Sequence, residues 1–434
     1  NKEIAMKVLM FGWEFPPHIA GGLGTACHGL TKGLAKHDVE ILFVMPSASG
    51  DEDQSAVKIV NASDVPFTQT WSDMQTFLNK VDFLRVSSNL VPYIDPQLYS
   101  EYGSEIKRSE YEQFKVKYGA KYKFSGKHGA NLMEEVASYA MVAATIASEN
   151  TFDVIHAHDW LTYAAGIAAK RISGKPLVIH VHATSFDRGS ADNIDTRVFE
   201  IERMGMLEAD KVITVSNLTR NIVINKYGID PSKVITVHNA VDFNEFQQVD
   251  VRRGVEDKIV TFLGRITFQK GPEYFIEAAA KVLKRMPNAR FVMAGNGDLM
   301  NRSIRRVAKL GIADRFHFTG FLRGADVKKM FSYSDVYVMP SVSEPFGISP
   351  LEAMKSNVPT IISKQSGVAE VLKYAIKVDF WDIDAMADAM YGLLAYPGLS
   401  EMSIRCGVEE VNALKWENAA LKIKDVYSMA IAGE

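Results

Sequence analysis

Cysteine is scarce in this chain: two residues, Cys27 and Cys406, in 434. They stand far apart and form neither a disulfide framework nor a Cys-x-x-Cys pair, which suits a reducing compartment and excludes a metal held by thiolates. Basic charge is not in excess either. The 49 Lys and Arg face 52 Asp and Glu, for a formal net charge of −3, so nucleic acid is excluded as the expected partner. Long apolar runs are missing, since none approaches the roughly 20 residues of a membrane span. The opening Lys7-Val8-Leu9-Met10-Phe11 reads as a strand rather than a signal h-region, and the expected location is cytoplasmic. What is present is an ordinary globular balance, 47% hydrophobic and 23% charged. At this length the chain exceeds one core and reads as two domains of roughly 200 residues each.

Short β-branched or apolar runs alternate with amphipathic helical stretches, the signature of βαβ units and a parallel sheet. One series runs from Lys7–Phe11 through Val39–Val44, Val154–His156, Leu177–Val181 and Val212–Val215 to Val234–Val237. A second runs from Ile259–Leu263 through Phe291–Ala294, Phe316–Phe318 and Val336–Met339 to Thr360–Ile362. Hydrophobic periodicity lapses between His238 and Glu256. The expected domains are therefore residues 1–243 and 244–415, followed by a helix over 416–434 that crosses back to the first domain. A ligand cleft between the two sheets follows. The rhythm also loosens near 57–126, which reads as an insertion. There Tyr99, Tyr102, Tyr111, Phe114, Tyr118 and Tyr122 interleave with Lys107, Arg108, Lys115, Lys117, Lys121 and Lys123. Aromatics packed on the sheet with solvated lysines explain this pattern; a platform for sugars or anionic headgroups is the alternative.

Chemistry-bearing residues gather at strand ends. In Ser343-Glu344-Pro345-Phe346-Gly347-Ile348-Ser349-Pro350-Leu351-Glu352, a loop acid and a second acid expected about two turns into the following helix flank unpaired backbone N–H groups. Such a place can hold a sugar and a phosphate together. Arg265 and Lys270 supply positive charge just after Ile259–Leu263. Gly21-Gly22-Leu23-Gly24 opens a helix after the first strand; phosphate or sugar approach competes there with a plain structural turn. A dinucleotide fingerprint fails because Cys27 replaces the last glycine and no ribose-binding acid ends the next strand. His156, His158 and Asp159, with His180 and His182, place four imidazoles and a carboxylate near one another. They suit a metal-dependent hydrolase, or polar tips lining the crevice. Asp382-Ile383-Asp384 matches a metal-binding DxD pattern but reads as a helix start.

Together these pieces resemble the retaining glycosyltransferases of the GT-B fold, two Rossmann-like doubly wound parallel-sheet α/β domains facing a central cleft. The resemblance is to family four and its glycogen (starch) synthases. It rests on Gly21-Gly22-Leu23, His156-Ala157-His158-Asp159-Trp160, His182, Gly264-Arg265 with Lys270-Gly271, Ala294-Gly295-Asn296-Gly297, and Glu344-Pro345-Phe346-Gly347 with Glu352. It implies that Arg265 and Lys270 bind the donor diphosphate. Glu344, with the amides of Phe346, Gly347 and Ile348, would hold the donor sugar, and Glu352 the ribose. Gly21, Gly22, Gly295 and Asn296 would line the donor site, and His182 would contact the transferred sugar. His158, Asp159 and Trp160 would lie on the acceptor side. No metal and no cofactor are implied beyond a donor such as UDP-glucose or ADP-glucose, with a glycan as acceptor. Glycogen synthases usually carry Lys-x-Gly-Gly where this chain has Ile19-Ala20-Gly21-Gly22, which leaves the donor's base open. A lipid-linked or small-molecule acceptor at a membrane surface, and a non-catalytic nucleotide-sugar or glycan-binding protein, are the alternatives.

Overall fold

The structure, a computed structural model, describes residues 5–17, 22–65, 124, 132–189, 194–241 and 256–434. Gly21, the aromatic and basic stretch before Phe124, and the expected boundary at 243/244 lie outside the described residues.

Among the described residues, seven parallel strands form the first sheet: β1 (Met6–Phe11), β2 (Val39–Met45), β3 (Lys58–Asn61), β4 (Val154–His158), β5 (Leu177–Val181), β6 (Lys211–Thr214) and β7 (Val234–Thr236). Their order is β3-β2-β1-β4-β5-β6-β7. All five residues of β4 and of β5 are buried, as strands covered by helices on both faces must be. The second sheet has six strands among the described residues: β8 (Lys258–Leu263), β9 (Ala289–Ala294), β10 (Phe316–Gly320), β11 (Val336–Met339), β12 (Thr360–Ser363) and β13 (Ile376–Val378). Its order, β10-β9-β8-β11-β12-β13, repeats the pattern of the first. In each sheet the order reverses where its first strand meets its fourth, and ligands of doubly wound sheets bind at the carboxyl ends of the strands there.

Two strands depart from the sequence reading. β3 lies inside the stretch read as insertion, and β13 follows the last strand expected. Both are short edge strands, and β3 has no fully buried residue, so neither carries the apolar run that marks an interior strand. The helices end where the chain dictates. Ser216 caps the helix Asn217–Tyr227 by accepting the Thr219 N–H at 3.0 Å, and Gly228, at φ 69°, terminates it.

The helix Trp416–Ala432 lies against the helix Gly22–Ala35 of the first domain, where glycines make room for it. A Cβ on Gly29 would come within 2.2 Å of Trp416 Nε1, and one on Gly33 within 2.8 Å of Ala420 Cβ. Trp416, Ala420, Ile423, Val426 and Tyr427 join the core on that face of the first sheet.

Candidate active site

In the second domain, the loops after β8, β9 and β11 are pressed together by glycines. Gly271, at φ 64°, leaves no room for a side chain: a Cβ would lie 2.2 Å from the Pro340 carbonyl. Gln269 O accepts the Val342 N–H at 2.8 Å, which ties the turn carrying Lys270 to the loop carrying Glu344. Lys270 Nζ donates to Glu344 Oε2, and Ser341 Oγ donates to the same oxygen at 3.1 Å. Glu344 is buried. Arg265 is exposed and reaches only Gln269 Oε1, at 3.4 Å, among the described residues, so its charge is free to meet an anion. Gly295, at φ 142°, packs on the Gly264 carbonyl, which a Cβ would approach to 1.8 Å. Asn296 is exposed beside it.

After Glu344 the turn presents its backbone. Carbonyls in it are used, Phe346 O accepting the Val368 N–H at 2.8 Å. The N–H groups of Phe346, Gly347 and Ile348 find no acceptor among the described residues. Gly347 takes φ 100°, a conformation that side chains disfavour. The Phe346 ring is buried in the core, so that residue offers the site its backbone only. Glu352 lies in the first turn of the helix Ser349–Lys355, not two turns in as the sequence reading placed it, because that helix starts at Ser349 and is only seven residues long.

In the first domain, β4 and β5 run in register, His158 beside His180, and period-two alternation brings four imidazoles to one face. The rings of His156 and His158 are 4.1 Å apart, and those of His180 and His182 are 4.2 Å apart. His158 Nδ1 and His182 Nε2 share a hydrogen bond of 3.0 Å. Burial, aided by the neighbouring imidazoles, holds His156, His158 and His180 well below the usual histidine range. Burial alone takes His182 down to about 3. All four are neutral at physiological pH. His156 and His180 are buried rather than lining the crevice.

Asp159, directly after β4, is gripped by Arg188, whose Nη2 donates to both carboxylate oxygens at 3.2 Å. Burial pushes the Asp159 carboxyl up to about 6; Arg188 opposes the shift and Glu202 adds to it. Trp160 is buried in the first-domain core rather than facing the acceptor side. Gly22 opens its helix with nothing among the described residues within 4 Å of where a Cβ would stand, so no contact among them requires glycine there. The Gly24 N–H, by contrast, is already taken by Glu14 Oε1 at 3.1 Å.

The two halves meet at these loops. Ser343 Oγ, next to Glu344, donates to Asp187 Oδ1 at 2.6 Å. Asp187 also accepts the Thr184 N–H and hydroxyl, forming a capping box at the start of the helix Ser185–Arg188. Glu370 accepts from the N–H groups of Asn217 and Leu218, and His238 Nε2 is 2.8 Å from it. Sequence reading missed Asp187, Arg188, Glu202, Glu370 and Tyr427. The Thr184-x-x-Asp187 spacing is a capping signal that could have flagged the first of these; the others are partners across the fold and leave no local trace.

Two doubly wound sheets of matching order, joined at the carboxyl ends of their strands, define the GT-B class of glycosyltransferases. The chain belongs to the starch synthase catalytic domain family, which matches residues 7–237, and the family of group 1 glycosyl transferases matches residues 243–406. It is 28% identical to an uncharacterized glycosyltransferase of Methanocaldococcus jannaschii, over 98% of this chain and 99% of that one. It is 24% identical to the glycogen synthase of Mycobacterium tuberculosis, over 99% and 96%. Among solved structures it is similar to Anabaena HepE in complex with UDP and glucose, with a TM-score of 0.68 and 16% identity, covering 98% and 99% of the two chains. The protein is thus a nucleotide-sugar-dependent glycosyltransferase of glycogen synthase-like type. Among the described residues no helix is long and apolar enough to cross a membrane.

Proposed function

We propose that the protein is a retaining, metal-independent glycosyltransferase that moves glucose from UDP-glucose or ADP-glucose to an α-glucan. The observation that carries this reading is the arrangement at the second switch point. A lysine, Lys270, pairs with a buried acid, Glu344; an exposed arginine, Arg265, precedes that lysine in the same strand-to-helix turn, and the acid leads into a turn with three N–H groups free among the described residues. Arg265 and Lys270 take the diphosphate and neutralise the charge that grows as it leaves, the work a metal ion does elsewhere. Glu344 and the amides of Phe346, Gly347 and Ile348 hold the sugar hydroxyls, and Glu352 the ribose. Gly295 and Asn296 line the same donor pocket. From the first domain His182, neutral and braced by His158, faces the transferred sugar, with Asp159 towards the acceptor and Gly22 closing over the donor. A glycogen synthase among the relatives supports the glucan acceptor, and a structural neighbour holding UDP and glucose supports a glucose donor.

The test is release of nucleoside diphosphate from UDP-glucose, ADP-glucose and GDP-mannose, each with and without a malto-oligosaccharide, in excess chelator. The expected outcome is release from one glucose donor that rises with the oligosaccharide. Activity that chelator removes and a divalent metal restores overturns metal independence. Release that no oligosaccharide stimulates moves the acceptor to a lipid-linked or small molecule.

A further inference from the structure

The histidine face of the first domain holds more nitrogen than sugar transfer uses. His156 Nε2, His158 Nε2 and both ring nitrogens of His180 are buried and have no hydrogen-bond partner among the described residues. The three residues are between 0% and 2% exposed. Leaving such atoms unpaired forfeits their full hydration. The rings also converge, since one nitrogen of each lies within 4.8 Å of the others.

In two of the three, His156 and His158, the second nitrogen is held as in metal ligands, whereas His180 has no such partner among the described residues. His156 Nδ1 is 2.6 Å from the Tyr427 hydroxyl, and His158 Nδ1 is 3.0 Å from His182 Nε2. A ligating histidine nearly always has its other nitrogen hydrogen-bonded in this way, which fixes ring and tautomer. Three nitrogens and no oxygen donor suit a borderline first-row divalent ion such as Zn²⁺, whereas Mg²⁺ and Ca²⁺ require oxygen. Zinc–imidazole bonds are about 2.0–2.1 Å, so the nitrogens must draw closer than 4.8 Å to close on one ion.

We propose that His156, His158 and His180 form a binding site for a zinc-class divalent cation, with Tyr427 and His182 as its outer partners. Transfer does not require the site to be filled, but occupancy reaches the sugar-facing histidine. A metal on His158 Nε2 leaves the proton on His158 Nδ1, which then donates to His182 Nε2, and the His182 proton is fixed on Nδ1. A second set, Cys27, His158 and His182, also comes within 4.8 Å. It would take His182 away from the sugar and require the buried Cys27 thiol to give up its proton.

The test uses the full chain, stripped with chelator, titrated with Co²⁺ as a visible reporter of coordination and then with competing Zn²⁺. No sugar donor is present, so the result is independent of the proposed transfer reaction. The expected result is one Co²⁺ per chain, displaced by Zn²⁺, with d–d absorption and no thiolate charge-transfer band. His180→Gln should weaken binding at least tenfold, Tyr427→Phe about 10- to 100-fold, and Cys27→Ala not at all. Absence of saturable binding in the unaltered chain overturns the proposal, and so does unchanged affinity in His180→Gln. Should His180→Gln fail to fold, as circular dichroism would show, Tyr427→Phe decides in its place, and unchanged affinity there overturns the proposal. A thiolate band that disappears in Cys27→Ala assigns the metal to the other set and overturns the three-histidine site.

Discussion

Asp159 holds a backbone conformation that residues with a Cβ rarely take, φ 63° and ψ 166°. Such a pose costs about 1–3 kcal/mol and persists where the surroundings over-determine it. Here the Asp159 N–H donates to His180 O at 3.0 Å while Arg188 grips the carboxylate. The spacing of His156, His158 and Asp159 places this corner in the sequence, but neither the strain nor Arg188, which arrives from the helix Ser185–Arg188, is visible there. Because its carboxyl titrates near 6 when folded, against an ordinary 3.8, the folded state binds the proton more tightly. Its contribution to stability therefore falls as pH rises from 3.8 to about 6. Asp159→Asn should flatten the pH dependence of thermal unfolding across that window. If the ionised form serves the acceptor, transfer by the unaltered chain should decline below about pH 6, and the variant should lose that acid limb. Arg265 offers a simpler contrast. It is exposed and weakly held, so Arg265→Ala should leave the unfolding curve in place while transfer drops about 10²- to 10³-fold. Near-normal turnover would remove it from the diphosphate site.

At the scale of elements, the sequence is most legible where a segment is buried on both sides. The interior strands β1, β4, β5, β8 and β11 are largely buried apolar runs, and their expected bounds agree with the structure within a residue or two. β3 and β13, at the edges, need less apolar surface and escaped notice. The start of the helix Ile383–Ala395 was readable because its signal is local: Asp382 accepts the Ala385 N–H at 2.9 Å, so the DxD pattern is a cap and not a metal ligand pair. The pairing of Lys270 with Glu344 was not readable, although both residues were singled out, because it depends on Gly271 bringing two loops together. That pairing changes what a mutation reports. Lys270→Ala strands a buried carboxylate, which costs about 3 kcal/mol, so lost activity in that variant mixes unfolding with chemistry. Lys270→Ala combined with Glu344→Gln should recover most of the stability in denaturant unfolding and none of the transfer. Equal instability in the single and double variants would show that the pair does not hold the loops.

For the whole molecule, the question is what keeps the two sheets facing each other; besides the returning helix Trp416–Ala432, contacts cluster beside the donor loop. A Cβ on Gly367 would lie 2.5 Å from Ser216 Cβ of the first domain, and Ser343 reaches Asp187. Glu370 adds a charged link, because one carboxylate from the second domain caps the helix Asn217–Tyr227 of the first and pairs with His238. Burial works to raise the Glu370 carboxyl, but the His238 hydrogen bond and the two N–H groups outweigh it and hold the group below its ordinary 4.5. A depressed folded pKa stabilises the protein above 4.5 and is lost as pH falls through the folded value, so acidification should loosen this contact. Glu370→Ala removes the cap at any pH, at a cost of about 1–2 kcal/mol. Since Glu370 closes the short turn Gly367–Glu370, which follows the Glu344↔Ser366 bridge, the link bears on donor binding as well as on shape. The variant should show a larger radius of gyration in small-angle scattering at neutral pH and a raised KM for the donor, with kcat less affected. The unaltered chain should approach the same radius only on acidification. An unchanged radius in Glu370→Ala would mean that the helix Trp416–Ala432, the Ser343–Asp187 bond and the packed Gly367–Ser216 contact suffice to keep the domains closed.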